Sequence, residues 1–274
     1  MPDVAPADPP ATWDTAGYEP VFVEEFAGTT LSPERWLPYH LPQWSSRALA
    51  AARYRVADGR LELRVDDDQP PWCPEVDGVT RVSSLQTAVR SGPVGSTDGQ
   101  HRFSPDAVVR EEQPETRLYT PHHGLVEMVA RIEVDADGMA ALWMIGVEDA
   151  PERSAEICVA EVFGRDLAPG SAAVGTGVHP FGDPTLTDDF AAVRLPVDVR
   201  EPHAYGVRWE PGRVAFYVDR HLVRVVPQAP DYPMQLMLGV YDFGGDRPAR
   251  PDGVRQRFVV ERVLGHAPAG GGRG

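Results

Sequence analysis

The sequence predicts a single all-β sandwich, and three features carry that reading. Apolar residues recur with a period of two through most of the chain, the segments that show this follow one another across short turn-forming breaks, and helix patterning is almost absent. The 274 residues include 28 prolines, about twice the ordinary frequency of ~5%, which disfavours long helices and favours loops. The length is ample for a real core in one domain.

In chain order, residues 1–17 are rich in Pro, Ala and Asp and read as a flexible tail, and 266–274 are glycine-rich and read as another. Between them, 18–265 form one unit without internal repeat or linker. Ser45 to Arg53, alanine-rich behind a serine cap, is the one helical candidate, and it is short. Tyr54 to Val56 and Leu61 to Val65 flank Asp58-Gly59 and predict a hairpin. Asp66 to Gln86 and Gly92 to Arg117 are long and irregular, as loops that rim a site often are. In Leu125 to Val134, Val126, Met128, Ala130, Ile132 and Val134 form one face. Met139 to Val147 is nearly all apolar, which predicts a strand covered on both sides. His203 to Trp209, Arg213 to Asp219 and Leu222 to Val226 read as a meander, and Met234 to Phe243 and Gln256 to Leu264 as two late strands.

Composition removes several functions. With 41 acidic and 26 basic residues the net charge is −15, which repels nucleic acid and anionic lipid, so neither is an expected partner. Every basic residue is arginine, and asparagine is also absent. GC-rich coding accounts for both gaps, yet the consequences stand: no P-loop or Schiff-base lysine and no N-glycosylation acceptor. Cys73 and Cys158 are the only cysteines, without a C-x-x-C pair. The amino terminus does not read as a Sec signal and nothing approaches a membrane span, so the expected location is cytoplasmic, with non-classical export left open. There is no G-x-S-x-G or H-E-x-x-H. His122-His123 reads as an ordinary loop pair, because adjacent residues on a strand face opposite ways.

The informative stretch is Arg153-Ser-Ala-Glu156-Ile-Cys158-Val-Ala-Glu161-Val-Phe-Gly164. Positions five apart on a regular strand face opposite sides, so either one glutamate is cross-strand paired and the other lies at an exposed end, or the strand is bulged. One extra residue would bring Glu156, Cys158 and Glu161 onto one face. Two carboxyls so gathered are what a retaining glycosidase uses, one as nucleophile and one as acid and then base.

This segment resembles the catalytic strand of family 16 of the glycoside hydrolases, E-x-D-x-x-E in the laminarinase-like branch. The resemblance extends to Phe22-Val-Glu-Glu-Phe, Val56-Ala-Asp-Gly-Arg-Leu-Glu-Leu, Val82-Ser-Ser-Leu-Gln-Thr, Ala141-Leu-Trp143-Met, His203-Ala-Tyr-Gly-Val-Arg-Trp209 and Val214-Ala-Phe-Tyr-Val-Asp219, in order over roughly residues 20 to 265. It implies a β-jelly roll of two antiparallel sheets with a carbohydrate cleft on the concave face. By that resemblance Glu156 is the nucleophile and Glu161 the acid/base, Trp143 is an aromatic on the cleft floor, His179 lies near the acid/base, and Gln86 faces the cleft. His203 and Trp209 match packing positions. Cys158 stands where the family has aspartate, and a neutral thiol is a weaker donor to the nucleophile. The family also implies a structural calcium near Glu24, Gly59 and Glu261, with glutamate instead of aspartate at 261; the chemistry itself needs no cofactor. The expected activity is retaining hydrolysis of a β-1,3-glucan-like chain by a monomer. A transglycosylase, or a carbohydrate-binding jelly roll disabled at Cys158, are the alternatives.

Overall fold

The computed structural model describes residues 8–244 and 248–270. Two antiparallel sheets face each other. The eight-stranded sheet runs His221–Val226, Arg213–Val218, His203–Glu210, Gly124–Glu133, Val254–Pro268, Arg60–Asp66, Arg53–Ala57, with Tyr18–Glu24 on the far half of Val254–Pro268. The seven-stranded sheet runs Leu167–Ala168, Ser171–His179, Glu156–Phe163, Gly138–Gly146, Met234–Asp242, Arg81–Gln86, with Asp189–Leu195 also on Ser171–His179. The pattern-derived strands are all present, and the Asp58-Gly59 hairpin turn has both residues at positive φ, 54° and 69°, as a two-residue turn matched to strand twist requires.

The alternating faces meet between the sheets. Leu61 and Leu63, Phe258 and Val260, Leu142 and Met144, and Leu236 and Leu238 are fully buried there, each such side chain stabilising the fold by roughly 1.5–3 kcal/mol. A second apolar cluster lies on the other face of the seven-stranded sheet. Met139, Ala141, Trp143 and Ile145 pack there with Met237 and Tyr241 under Leu41, Trp44, Trp72 and Val109 from the loops. Covered on both faces, Gly138–Gly146 can be apolar throughout.

Three expectations are corrected. Ser45 to Arg53 is not a helix: it makes one turn, in which Ala50 N–H donates to Ser46 O, and is then captured by strand pairing, Tyr39 against Ala51 and Arg53 onward in its hairpin. The α-helix among the described residues is Pro74–Asp77, four residues within the first long loop. The tails also shrink. Trp13 N–H donates to Arg220 O at 2.7 Å, and its ring meets Tyr217 edge-on at 5.2 Å, over Gly206, where a Cβ would clash with it. At the other end His266 to Pro268 continue the last strand, paired with Tyr18 to Pro20. Residues 1–7 and 271–274 of those tails lie outside the described residues.

Candidate active site

The strand Glu156–Phe163 is bulged. Against its neighbour, Trp143 pairs with Cys158 but Leu142 pairs with Ala160, so Val159 is the extra residue. The same shift appears on the other side, where Gly177 faces Cys158 and Gly175 faces Glu161. Val159 and Ala160 are both in the inter-sheet core. Two consecutive residues on one face invert the alternation, and Glu156, Cys158, Glu161 and Phe163 all line one cavity of about 530 Å³ on the outer face of the sheet. Without the bulge Glu161 would enter the core, where an unpaired carboxylate is very costly.

Burial governs the chemistry of this group. It raises the Glu156 carboxyl to about 7, an effect opposed by a hydrogen bond from the Cys158 thiol and by His179. The Cys158 Sγ–Glu156 Oε1 distance is 2.8 Å. Burial likewise raises Glu161, with His179 and Arg165 opposing it. The same burial, with two carboxylates alongside, holds the Cys158 thiol well above its usual range, so it is a hydrogen-bond donor and a poor nucleophile.

Trp143 and His179 are in the cavity wall. His179 is the direct cross-strand partner of Glu156. Its Nδ1 lies 2.5 Å from Asp188 Oδ1, and its ring stacks on Phe190 at 5.0 Å; Phe190 itself lies over Gly175, where any Cβ would collide with it. Gln86 is corrected. It lies on the cleft side of its strand, paired with Met237, but the Leu37 to Leu41 segment covers it. Its side chain is fully buried, accepts the Leu41 N–H at 3.4 Å, and is not in the cavity wall.

The two long loops supply part of the remaining wall, with His40 and Leu41 from an earlier loop and Phe181 from the loop after Ser171–His179. The first brings Trp72 and the second His101 and Phe103. His40 meets Trp72 edge-on at 4.5 Å and Tyr241 at 5.5 Å. His101 Nδ1 lies 3.9 Å from Glu156 Oε2, and burial lowers that imidazole to about 4, so near neutral pH the contact is polar and not ionic. His101 also meets Trp143 at 4.9 Å and Phe181 at 4.7 Å. The His101–Phe181 contact separates the cavity from a second one of about 540 Å³ lined by Glu148, Asp98 and Ser154. Leu41, His101, Glu148 and Phe181, none of them glycine, all have positive φ. Such conformations cost on the order of 1–3 kcal/mol each and persist where packing enforces them, commonly around functional sites. His40, Trp72, His101 and Phe181 carry no periodic signal, since all lie outside the strands.

The proposed calcium ligands do not fit a cation. The Glu24 carboxylate accepts the Phe26 N–H at 2.9 Å and the Trp36 indole N–H at 3.2 Å, with Arg35 at 3.5 Å, and Glu261 faces Arg60 at 4.0 Å.

A jelly-roll sandwich with two carboxyls on a bulged strand beneath aromatic walls has the architecture of a carbohydrate-active protein. The chain belongs to family 16 of the glycosyl hydrolases, whose family model matches residues 116–259. Among solved structures it is similar to the GlcNAcα1-4Gal-releasing endo-β-galactosidase from Clostridium perfringens, with 28% identity and a TM-score of 0.78 over 98% of this chain. It spans 66% of that chain's length. The laminarinase from Flavobacterium sp. UMI-01 shares 16% identity and a TM-score of 0.62 over 91% of this chain and 100% of its own. For the endo-1,3-β-glucanase catalytic domain from Thermotoga petrophila RKU-1 the values are 17%, 0.57, 92% and 98%. No curated protein matches the sequence.

Proposed function

We propose that the protein is a retaining glycosidase acting within a β-linked glycan, with Glu156 as nucleophile and Glu161 as acid/base. The observation that carries the reading is the bulge at Val159, which turns both glutamates into one cavity. In the first half-reaction Glu156 attacks the anomeric carbon as the glycosidic C–O bond breaks, and the Glu161 carboxyl gives its proton to the departing oxygen. In the second, water attacks the glycosyl ester and loses its proton to Glu161, and Glu156 leaves as carboxylate. The anomeric configuration is retained. The Cys158 thiol supports the anionic form of Glu156. Trp143 on the floor offers an apolar face to a sugar ring. His179, held by Asp188, sits beside both carboxyls.

The favoured substrate is a β-galactoside-containing glycan, supported by the 28% identity over nearly the whole chain to a protein described as an endo-β-galactosidase. The β-1,3-glucan reading draws on the laminarinase-like motifs and on folds of lower identity. The test is product formation on β-galactoside oligosaccharides, laminarin and mixed-linkage glucan, with the configuration of the first-formed product followed by NMR. Retained-configuration products from the galactosides, lost in Glu156→Gln, are expected. Inverted products would sink the mechanism, and cleavage confined to glucans would sink the substrate assignment. Binding without turnover, with turnover in Cys158→Asp, would show that the thiol has disabled the site.

A further inference from the structure

We propose that His122, His123 and Asp231 form a binding site for one divalent transition-metal ion of the zinc type, at the end of the sandwich where the loop entering Gly124–Glu133 meets the loop entering Met234–Asp242. On a strand the two histidines would point apart. Here His123 has φ 65° and the following Gly124 φ 120°, which twists the chain so that the two rings lie side by side, centroids 4.5 Å apart and 30° between planes. Both Nε2 atoms converge on one carboxylate oxygen: His122 at 2.8 Å and His123 at 3.7 Å from Asp231 Oδ1. All the ligand atoms lie within 4.8 Å of one another, the one such grouping of three among the described residues. A tetrahedral ion with bonds of about 2.0–2.1 Å holds its ligands about 3.3 Å apart, so a small adjustment completes the set.

The arrangement is held from behind. Trp209, almost wholly buried, meets the His123 ring edge-on at 4.9 Å and donates its indole N–H to Pro230 O at 2.9 Å, one residue before Asp231. One side chain therefore positions both loops. A backbone bond from Met234 N–H to Pro121 O at 3.0 Å ties them again on the other flank. The His123 Nε2 is buried and has no hydrogen-bond partner, which leaves its lone pair or proton unused until something binds there. Two imidazoles and one carboxylate suit zinc, copper or nickel and not calcium or magnesium, which take oxygen ligands. Three protein ligands leave a fourth position for water. The ion would clamp the two loops and stabilise the folded state by linkage.

The experiment uses the tag-free full chain after chelator treatment. Zinc binding is measured by calorimetry, cobalt binding by visible absorption, and the thermal midpoint with zinc or calcium added. One equivalent of zinc, visible cobalt bands of a tetrahedral or five-coordinate ion, and a midpoint raised by zinc but not calcium are expected. His122→Ala and Asp231→Asn, both at exposed positions, should each weaken zinc binding by more than about 10-fold, the loss that even an outer partner of a metal ligand often causes. Absence of saturable binding, unchanged affinity in both variants, or an equal response to calcium would each overturn the assignment.

Discussion

Replacing Glu156 by glutamine should stabilise the protein above neutral pH while removing the proposed nucleophile. In the folded chain burial raises this carboxyl from 4.5 to about 7, whereas in the unfolded chain it ionises near 4.5. Between those values the native state binds more protons than the unfolded state, so its contribution to stability falls as pH rises through the window and is flat above it. At about 1.4 kcal/mol per pH unit, ionising Glu156 costs the fold about 3 kcal/mol by pH 8 and under about 1 kcal/mol at pH 5. Glutamine never ionises, and its carbonyl can still accept the Cys158 S–H. Urea unfolding of wild type and Glu156→Gln at pH 5 and pH 8 isolates this group, because other titrating residues contribute to both proteins. The variant's advantage should grow by roughly 2–3 kcal/mol from pH 5 to pH 8. An advantage that stayed constant or shrank would refute the claim that Glu156 is held against its ionisation.

Removing the thiol donor with Cys158→Ala should move the acid limb of kcat/KM, expected near pH 7 from Glu156, upward by about 0.4–1 pH unit, the equivalent of one hydrogen bond; a pH–rate profile reads it, and an unmoved limb would deny the thiol that role. Glu161→Gln should slow cleavage of natural glycans by about 10²–10⁴-fold but affect aryl glycosides with acidic leaving groups much less, and equal losses on both would remove Glu161 as the acid. Both cysteines are buried and free, with thiols raised by burial, so a thiol reagent at pH 8 should label two groups only after denaturant is added. Phe258→Ala, in the inter-sheet core, should lower unfolding stability by about 3–5 kcal/mol in urea titration; a change within about 0.5 kcal/mol would place that ring outside the core.

The sequence by itself determined most of the strands, because a period of two follows from which side chains meet solvent, and that pattern is local; Ser171–His179 and Asp189–Leu195 drew no such reading, and Arg81–Gln86 lies in a stretch read as irregular. It also singled out the segment proposed to carry the chemistry, since two glutamates five apart in an apolar strand admit few arrangements. Tertiary structure decided the rest. Whether Ser45 to Arg53 becomes a helix depends on a strand partner, Tyr39 for Ala51, that local propensity cannot see. Gln86 has the alternation of a cleft residue, yet the Leu37 to Leu41 segment covers it. His101 reaches Glu156, and Trp72 the cavity wall, from loops whose path is fixed only by packing. For His122 and His123, one left-handed residue overrides the rule that neighbours on a strand diverge. Period and spacing report what each residue does relative to its own strand; covering segments and positive-φ turns are set by contacts between distant parts of the chain, where local pattern carries no information.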